Sequence, residues 1–238
     1  MHNIHYDLHI HSCLSPCGDN DMTPGNIVGM ATIKELDVIA LADHNTSKNC
    51  PAIMKLAEAY GIIAIPGMEL TTMEEVHVLC LFPTLEDALN WDAFVDKHRI
   101  LIENKPEIFG EQRFMNEDDE IIGYEPNLLI NSTDISFDSA YDYITEYNGV
   151  MIPAHIDKDS TSLMSNLGFV PPDSKFKCIE VKNMSKLHGL KKDNPYLETC
   201  RVITDSDAHY LEHINEPLNS LLVHEKSIAG VLDALVTF

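Results

Sequence analysis

Basic residues are scarce. Lysine and arginine number 16 against 38 aspartates and glutamates, a formal net charge of −22 over 238 residues. Such a field repels phosphate backbones and argues against a long nucleic-acid footprint. It leaves room for a small phosphorylated substrate, because divalent ions in a pocket reverse the local sign. Paired cysteines are also missing. Cys13, Cys17, Cys50, Cys80, Cys178 and Cys200 are scattered and form no CxxC, the pattern expected of reduced cytoplasmic thiols rather than a disulfide framework. No apolar run approaches the ~20 residues of a membrane span, so no membrane partner is expected. The opening MHNIHYDLHIH has neither a basic stretch nor an apolar one, and no signal peptide is read from it. No repeat, low-complexity stretch or linker divides the chain. With 45% hydrophobic residues, one domain over 1–238 is expected.

What is present is an alternation of strand-like and amphipathic helical runs, which predicts an α/β fold of parallel strands with helical crossovers. Strands are expected near 3–11, 38–42, 62–65, 76–82, 150–154, 177–181, 202–204 and 220–224. Helices are expected from Pro24 to about Leu36 with Thr23 as N-cap, over 52–60 with Thr46 or Ser47 capping and Gly61 stopping it, and over 85–104, 136–148 and 227–237. Residues 105–135 break the pattern. They read as an insertion containing a hairpin over 114–123, serving as a lid, a surface excursion or a homo-oligomer contact.

The histidines fall at one kind of place. Side chains two apart on a strand share a face, so His9 and His11 point together. His44 ends the second strand, Glu69 the third, His155 a later one, and Asp207 and His209 another. His77 lies near the start of its run, which requires a strand that is short or runs differently. Strand C-termini of an α/β barrel converge on one mouth. Against scattered polar strand caps, that convergence favours a His/carboxylate catalytic metal centre over closed structural zinc. Seven or eight ligands exceed one ion and imply two or three, with Glu69 as the natural bridge and Zn, Mn or Fe as suitable metals. Asp7 and Asp205 sit one step deeper on the same faces, either orienting an imidazole or bonded to backbone. Asp43 points away from His44 and reads as a loop cap or as a carboxylate behind a ligand.

In combination and order, DLHIHS (Asp7–Ser12), ADHN (Ala42–Asn45), PGMEL (Pro66–Leu70), VHVLCLF (Val76–Phe82), PAHI (Pro153–Ile156) and SDAH (Ser206–His209) resemble the PHP (polymerase and histidinol phosphatase) family of metal-dependent phosphoesterases. The resemblance covers nearly the whole chain. It implies a distorted seven-stranded (β/α) barrel with two or three metals at its C-terminal mouth. It implies that His9, His11, Glu69 and Asp207 hold one ion, that Glu69 bridges to a second held by His77 and His155, and that His44 and His209 hold a third. It implies hydrolysis of a phosphate ester, a small phosphomonoester or nucleotide, by a metal-bound hydroxide, with Glu69, Asp207 and His209 at the reacting centre. The chain departs from the family after its first H-x-H, where another ligand is usual and this loop reads SPCGDND. Cys17 stands nearest that position, with Asp19 and Asp21 just beyond; a thiolate there favours softer metals. Lys158 sits where the family often carries a basic residue, and Lys182 with Asn183 could join it on a phosphate. The competing reading of both lysines is solvated surface charge.

Three other functions compete. Amide-hydrolysing and deaminating barrels also begin with H-x-H, but usually carry a carboxylated lysine where this chain offers Glu69. A nuclease or exonuclease would have to act on short ends, given the acidic surface. A non-catalytic metal or nucleotide sensor would be expected to have lost ligands. Ser12 and Ser206 adjoin ligands, yet nothing near them resembles a serine triad.

Overall fold

The computed structural model of the chain describes residues 1–237. β1 (His2–Ile10) passes from an exposed start to complete burial beyond Tyr6. Thr23 accepts the Asn26 amide and Pro24 opens α1 (Pro24–Ile33), as expected. β2 (Val38–Leu41), buried at every position, pairs parallel with β1. α2 (Cys50–Tyr60) ends at Gly61, whose φ of 73° places it in the left-handed region that stops helices. The expected caps Thr46 and Ser47 are used otherwise. The Thr46 hydroxyl donates to Asp92, and the Ser47 hydroxyl to the Gly67 carbonyl.

β3 (Ile63–Thr71) runs through the whole PGMEL motif. The reversal after it spans Thr72 to Val76, joined by a Thr72 to Val76 backbone bond. That is too short for a helical crossover. β4 (His77–Leu81) therefore runs antiparallel to β3, with Thr71 opposite His77. This corrects the expectation of uniformly parallel strands and explains His77: the start of β4 lies beside the end of β3. α3 (Leu85–Val95) stops well short of 104. The insertion follows, with α4 (Pro106–Phe109) and the expected hairpin of β5 (Arg113–Met115) and β6 (Ile121–Tyr124). It is pinned to the body by Arg99–Glu125, a nearly buried pair at 2.9 Å. Asn45 adds bonds from its amide to the carbonyls of Leu129 and Asn131.

Ser136 caps α5 (Phe137–Glu146), which leads into β7 (Val150–Pro153), antiparallel to β4. After the short α6 (Leu163–Asn166) come β8 (Cys178–Glu180), α7 (Leu187–Asp193), β9 (Arg201–Ile203), β10 (Ser220–Val223) and α8 (Ile228–Val236). The main sheet has six strands in the order β10-β1-β2-β3-β4-β7, with β8 and β9 a separate parallel pair. Isolated backbone bonds link the two, from Ile156 to Glu180 and between Ala208 and both His9 and His11. Seven strands in one continuous ladder are not found among the described residues. No described helix is long and apolar enough to cross a membrane, and all six cysteines are unpaired thiols.

Gly67 is where the sheet has no room. A Cβ there would stand 2.9 Å from the Leu41 carbonyl oxygen and 3.0 Å from that of Cys80. Gly67→Ala must push two strands apart and is expected to cost about 1–3 kcal/mol. Chemical denaturation checks this; an unchanged midpoint and slope would contradict it.

Candidate metal centre

Glu69 is fully buried and ringed by imidazoles. His77 Nδ1 and His155 Nε2 lie 2.8 and 3.0 Å from its Oε1, and His9 Nε2 lies 3.3 Å from the same oxygen. His44 Nδ1 and His11 Nε2 stand 3.0 and 3.4 Å from Oε2. Asp207 Oδ1 closes the other side, 3.4 Å from His11 Nε2 and 3.7 Å from both His9 Nε2 and His209 Nδ1. Every candidate ligand that the sequence placed at strand ends therefore meets here. The chain turns sharply off these ends. Asn45, His155 and Asp207 have φ of 50°, 30° and 53°, a region that Asn, Asp and His tolerate better than other side chains.

The imidazoles are held from behind. Glu180 Oε2 lies 2.8 Å from His9 Nδ1, so Nδ1–H donates outward and Nε2 is the nitrogen that faces the centre. His11 is set by a relay. The Ser15 hydroxyl donates to Asp43 Oδ1, and therefore accepts from His11 Nδ1 at 2.9 Å. Asp43 also takes the Ser12 amide and hydroxyl, so it is both loop cap and support for a ligand. Glu180 and Ser15 escaped sequence reasoning. The one available signal was an acid in the otherwise apolar run CIEV.

Asp7 and Asp205 do not orient imidazoles. Asp7 accepts the backbone amides of Ser206 and Asn215, and Asp205 that of Leu8. These reciprocal bonds tie β1 to the chain beyond β9. Burial raises the pKa of Asp7 and raises that of Asp205 well above the carboxylate range, the latter with help from the charges of Glu180 and Asp7.

Opposed charges dominate the centre itself. Burial works against ionisation of Glu69, but His77, His9 and His44 hold its carboxyl well below the usual range. Burial likewise opposes ionisation of Asp207, and His9 and His11 lower it strongly. His9 and His44 are raised well above the ordinary imidazole value against their burial, by Glu180 and Glu69 for His9 and by Cys17 and Glu69 for His44. His77 is the exception, pushed down to about 4 by burial.

Divalent ions fit this donor set. His9, His11 and Glu69 form one group of ligand atoms within 4.8 Å of one another; His44, Glu69 and His77 form a second, and His11, His44 and His209 a third. Glu69 Oε2 and His44 Nδ1 are buried and 3.0 Å apart, close but without good hydrogen-bond geometry. Two close ligand atoms in poor alignment with each other are what a shared cation would satisfy.

The remaining expected residues divide. Cys17 is exposed at the rim and lines the same cavity as His44 and His209. Burial opposes ionisation of its thiol, but His44 and His209 lower it to about 5. Gly18 shapes this loop, since a Cβ there would meet the Ser12 carbonyl oxygen at 2.3 Å. Asp19 is not brought to the centre. Its carboxylate accepts the Asp21 amide, and only its own backbone amide reaches toward the site, donating to the His209 carbonyl. Asp21 is exposed. The Lys158 ammonium is 3.0 Å from Asp207 Oδ2 and lines the cavity. Lys182 donates to the Ser206 carbonyl and lines a different recess, while the Asn183 side chain is spent on Ser185. Neither lines the cavity that holds Glu69 and Lys158.

Glu180→Gln keeps the shape behind His9 and removes the charge. Metal affinity is expected to fall by roughly 10–100-fold, measured by chelator competition, with the circular dichroism spectrum unchanged. An unaltered affinity would remove Glu180 from the support of the site.

An uncharacterized protein of Methanocaldococcus jannaschii, MJ1587, is 31% identical over 100 residues, covering 38% of this chain and 58% of the relative. The lesion-specific endonuclease PfuEndoQ of Pyrococcus furiosus superposes with a TM-score of 0.67 at 20% identity, over 98% of this chain and 56% of that one. A candidate metal-dependent phosphoesterase of Bifidobacterium adolescentis superposes at 0.62 and 16% identity, over 98% and 96%. The chain thus spans little more than half the length of the first two, and these structural likenesses bear on fold alone. The family model of the PHP domain matches residues 7–156, from the first ligand motif through His155, and the chain belongs to the PHP domain family.

Proposed function

We propose that the chain is a metal-dependent phosphoesterase acting on a small phosphomonoester or nucleotide with two or three divalent ions, of Zn, Mn or Fe. The observation that carries this reading is the His/carboxylate cluster opening onto a cavity of about 550 Å³ whose wall holds a lysine. His9, His11, Glu69 and Asp207 would hold one ion, and Glu69, His77 and His155 a second. His44 and His209, with Cys17 beside them, would hold a third. Such ions supply Lewis acidity toward a phosphoryl oxygen and lower the pKa of an attacking water.

The chain's own groups do the rest. Glu69 offers both oxygens and so sets the spacing of whatever it bridges. Lys158 is favoured in its charged form by Asp207, which outweighs burial, and presents its ammonium to a phosphate oxygen. Asp207 orients that ammonium through Oδ2 while Oδ1 faces the imidazoles. His209 is the partly open imidazole at the rim, with Nδ1 toward Asp207. With only two ions bound, His209 would be free of metal and would carry a proton to a leaving oxygen.

Loaded with Mn²⁺, Zn²⁺ or Fe²⁺, the protein is expected to hydrolyse members of a phosphomonoester panel, with short oligonucleotides as a comparison arm. Asp207→Asn should lower kcat/KM by ~10²-fold or more without unfolding the chain. Failure of every phosphate ester across the three metals would overturn the reading. Cys17 is checked separately by cobalt(II) loading. A thiolate-to-metal charge-transfer band is expected in the native protein and its loss in Cys17→Ser; identical spectra would exclude the thiolate.

A further inference from the structure

Asn49 stands at the N-cap position of α2, where an asparagine side chain ordinarily bonds an amide of its own helix. Here it makes no such bond. The residue is fully buried, and its side chain is spent on two distant segments instead. Nδ2 donates to Ser12 Oγ at 3.0 Å and to the Arg113 carbonyl at 3.1 Å, and Oδ1 accepts the Met115 amide at 3.0 Å. The two backbone partners fix which end of the side-chain amide is which, because its nitrogen only donates and its oxygen only accepts. Ser12 Oγ therefore receives a proton from Asn49 and turns its own toward Asp43 Oδ2, 2.6 Å away. Asp43 Oδ1 takes the Ser12 amide and the Ser15 hydroxyl, and Ser15 Oγ accepts from His11 Nδ1 at 2.9 Å and from the His44 amide at 3.2 Å. An unbroken line of hydrogen bonds thus runs from β5, in the insertion, to two candidate metal ligands. Two further contacts seat the insertion on the same loop. The Arg113 amide donates to the Cys13 carbonyl at 3.0 Å, and a Cβ on Gly110 would stand 2.7 Å from the Pro16 carbonyl oxygen.

We infer that Asn49 is a positioning residue, and that through it the insertion is a working part of the metal centre. Asn49 holds β5 on one side and Ser12 on the other, and so sets the loop that carries Ser15 and Cys17. It acts through Ser12, Asp43 and Ser15. With Ser12 and Ser15 both aligned on Asp43, the His11 ring and the backbone of His44 keep their places, and His11 arrives at the ion already oriented. Without Asn49, the Arg113 carbonyl and the Met115 amide lose their partner and the insertion loses its hold on that loop. The inference rests on the metal-binding part of the proposed function and not on the reaction, so metal affinity reads it.

The test is chelator competition with Zn²⁺ and Mn²⁺. Asn49→Ala is expected to lower affinity by about tenfold, the low end for a group behind a ligand because it acts through three others. Two comparisons separate positioning from a general loosening of the fold. In Ser15→Ala the line to His11 is already cut, so adding Asn49→Ala should cost less than about twofold more. Asp119 holds the tip of the same hairpin on α1, accepting the Thr23 hydroxyl and the Gly25 amide at 2.9 Å each. Asp119→Ala loosens the insertion by another route and should stay within about twofold of the native affinity. If circular dichroism shows that Asn49→Ala does not fold, Asn49→Asp carries the test. It matches the shape and keeps an acceptor for the Met115 amide, but it competes with Asp43 for the Ser12 hydroxyl. An unaltered affinity in the folded variant, an equal loss with and without Ser15, or an equal loss in Asp119→Ala overturns the inference and leaves the metal centre standing. A native protein with no affinity for either ion overturns both.

Discussion

A fully buried carboxylate among imidazoles is the constraint on which this molecule depends. Glu69 is fully buried, and its stability rests on the histidines within 3.4 Å of its two oxygens. Buried charges persist only when paired in good geometry. The backbone meets that demand by bringing strand ends from across the chain to one mouth. β4 is the telling case. It runs against its neighbours, and by doing so delivers His77 from its first residue instead of its last.

Around that centre lies a second layer of polar contacts, and its members have distinct duties. Glu180 faces His9 directly, and Asp43 reaches His11 through Ser15. Asp7 and Asp205 accept backbone amides, and so tie β1 to the segment that carries Asp207 and His209. Together with the Ala208 backbone bonds to His9 and His11, these contacts hold side chains from two separate sheets at one mouth. The left-handed conformations at Asn45, His155 and Asp207 have the same origin: each lets the chain leave a strand end while its side chain, or its neighbour's, stays in the mouth.

Much of the candidate site was legible in the sequence because its ligands sit in short motifs at strand ends, and period-two spacing says which of them share a face. His9, His11, His44, Glu69, His77, His155, Asp207 and His209 all come together as that spacing implied. What was not legible depends on partners distant in sequence. Glu180 is 171 residues from His9, and no local pattern announces that pairing. Asp7 and Asp205 carried the right spacing for orienting an imidazole, but their carboxylates were claimed by backbone amides that only the folded chain brings near. Asp19 was lost to its own loop, where an amide two residues away is the nearer partner. The helix expected over 85–104 stops at Val95; beyond it Arg99 is drawn into a pair with Glu125 instead.

By itself the sequence determined the family, the alternation of strands and helices, and which histidines and carboxylates gather at one mouth, because these follow from local periodicity and motif order. Tertiary structure alone decided the direction of β4, the six-plus-two arrangement of strands, and which carboxylate stands behind which imidazole. It also decided that the insertion reaches back to the mouth, so that Ile100, Ile102 and Ile130 share a cavity with Glu69. Those outcomes depend on which distant segments share the limited space around one buried charge, and no window of neighbouring residues contains that information.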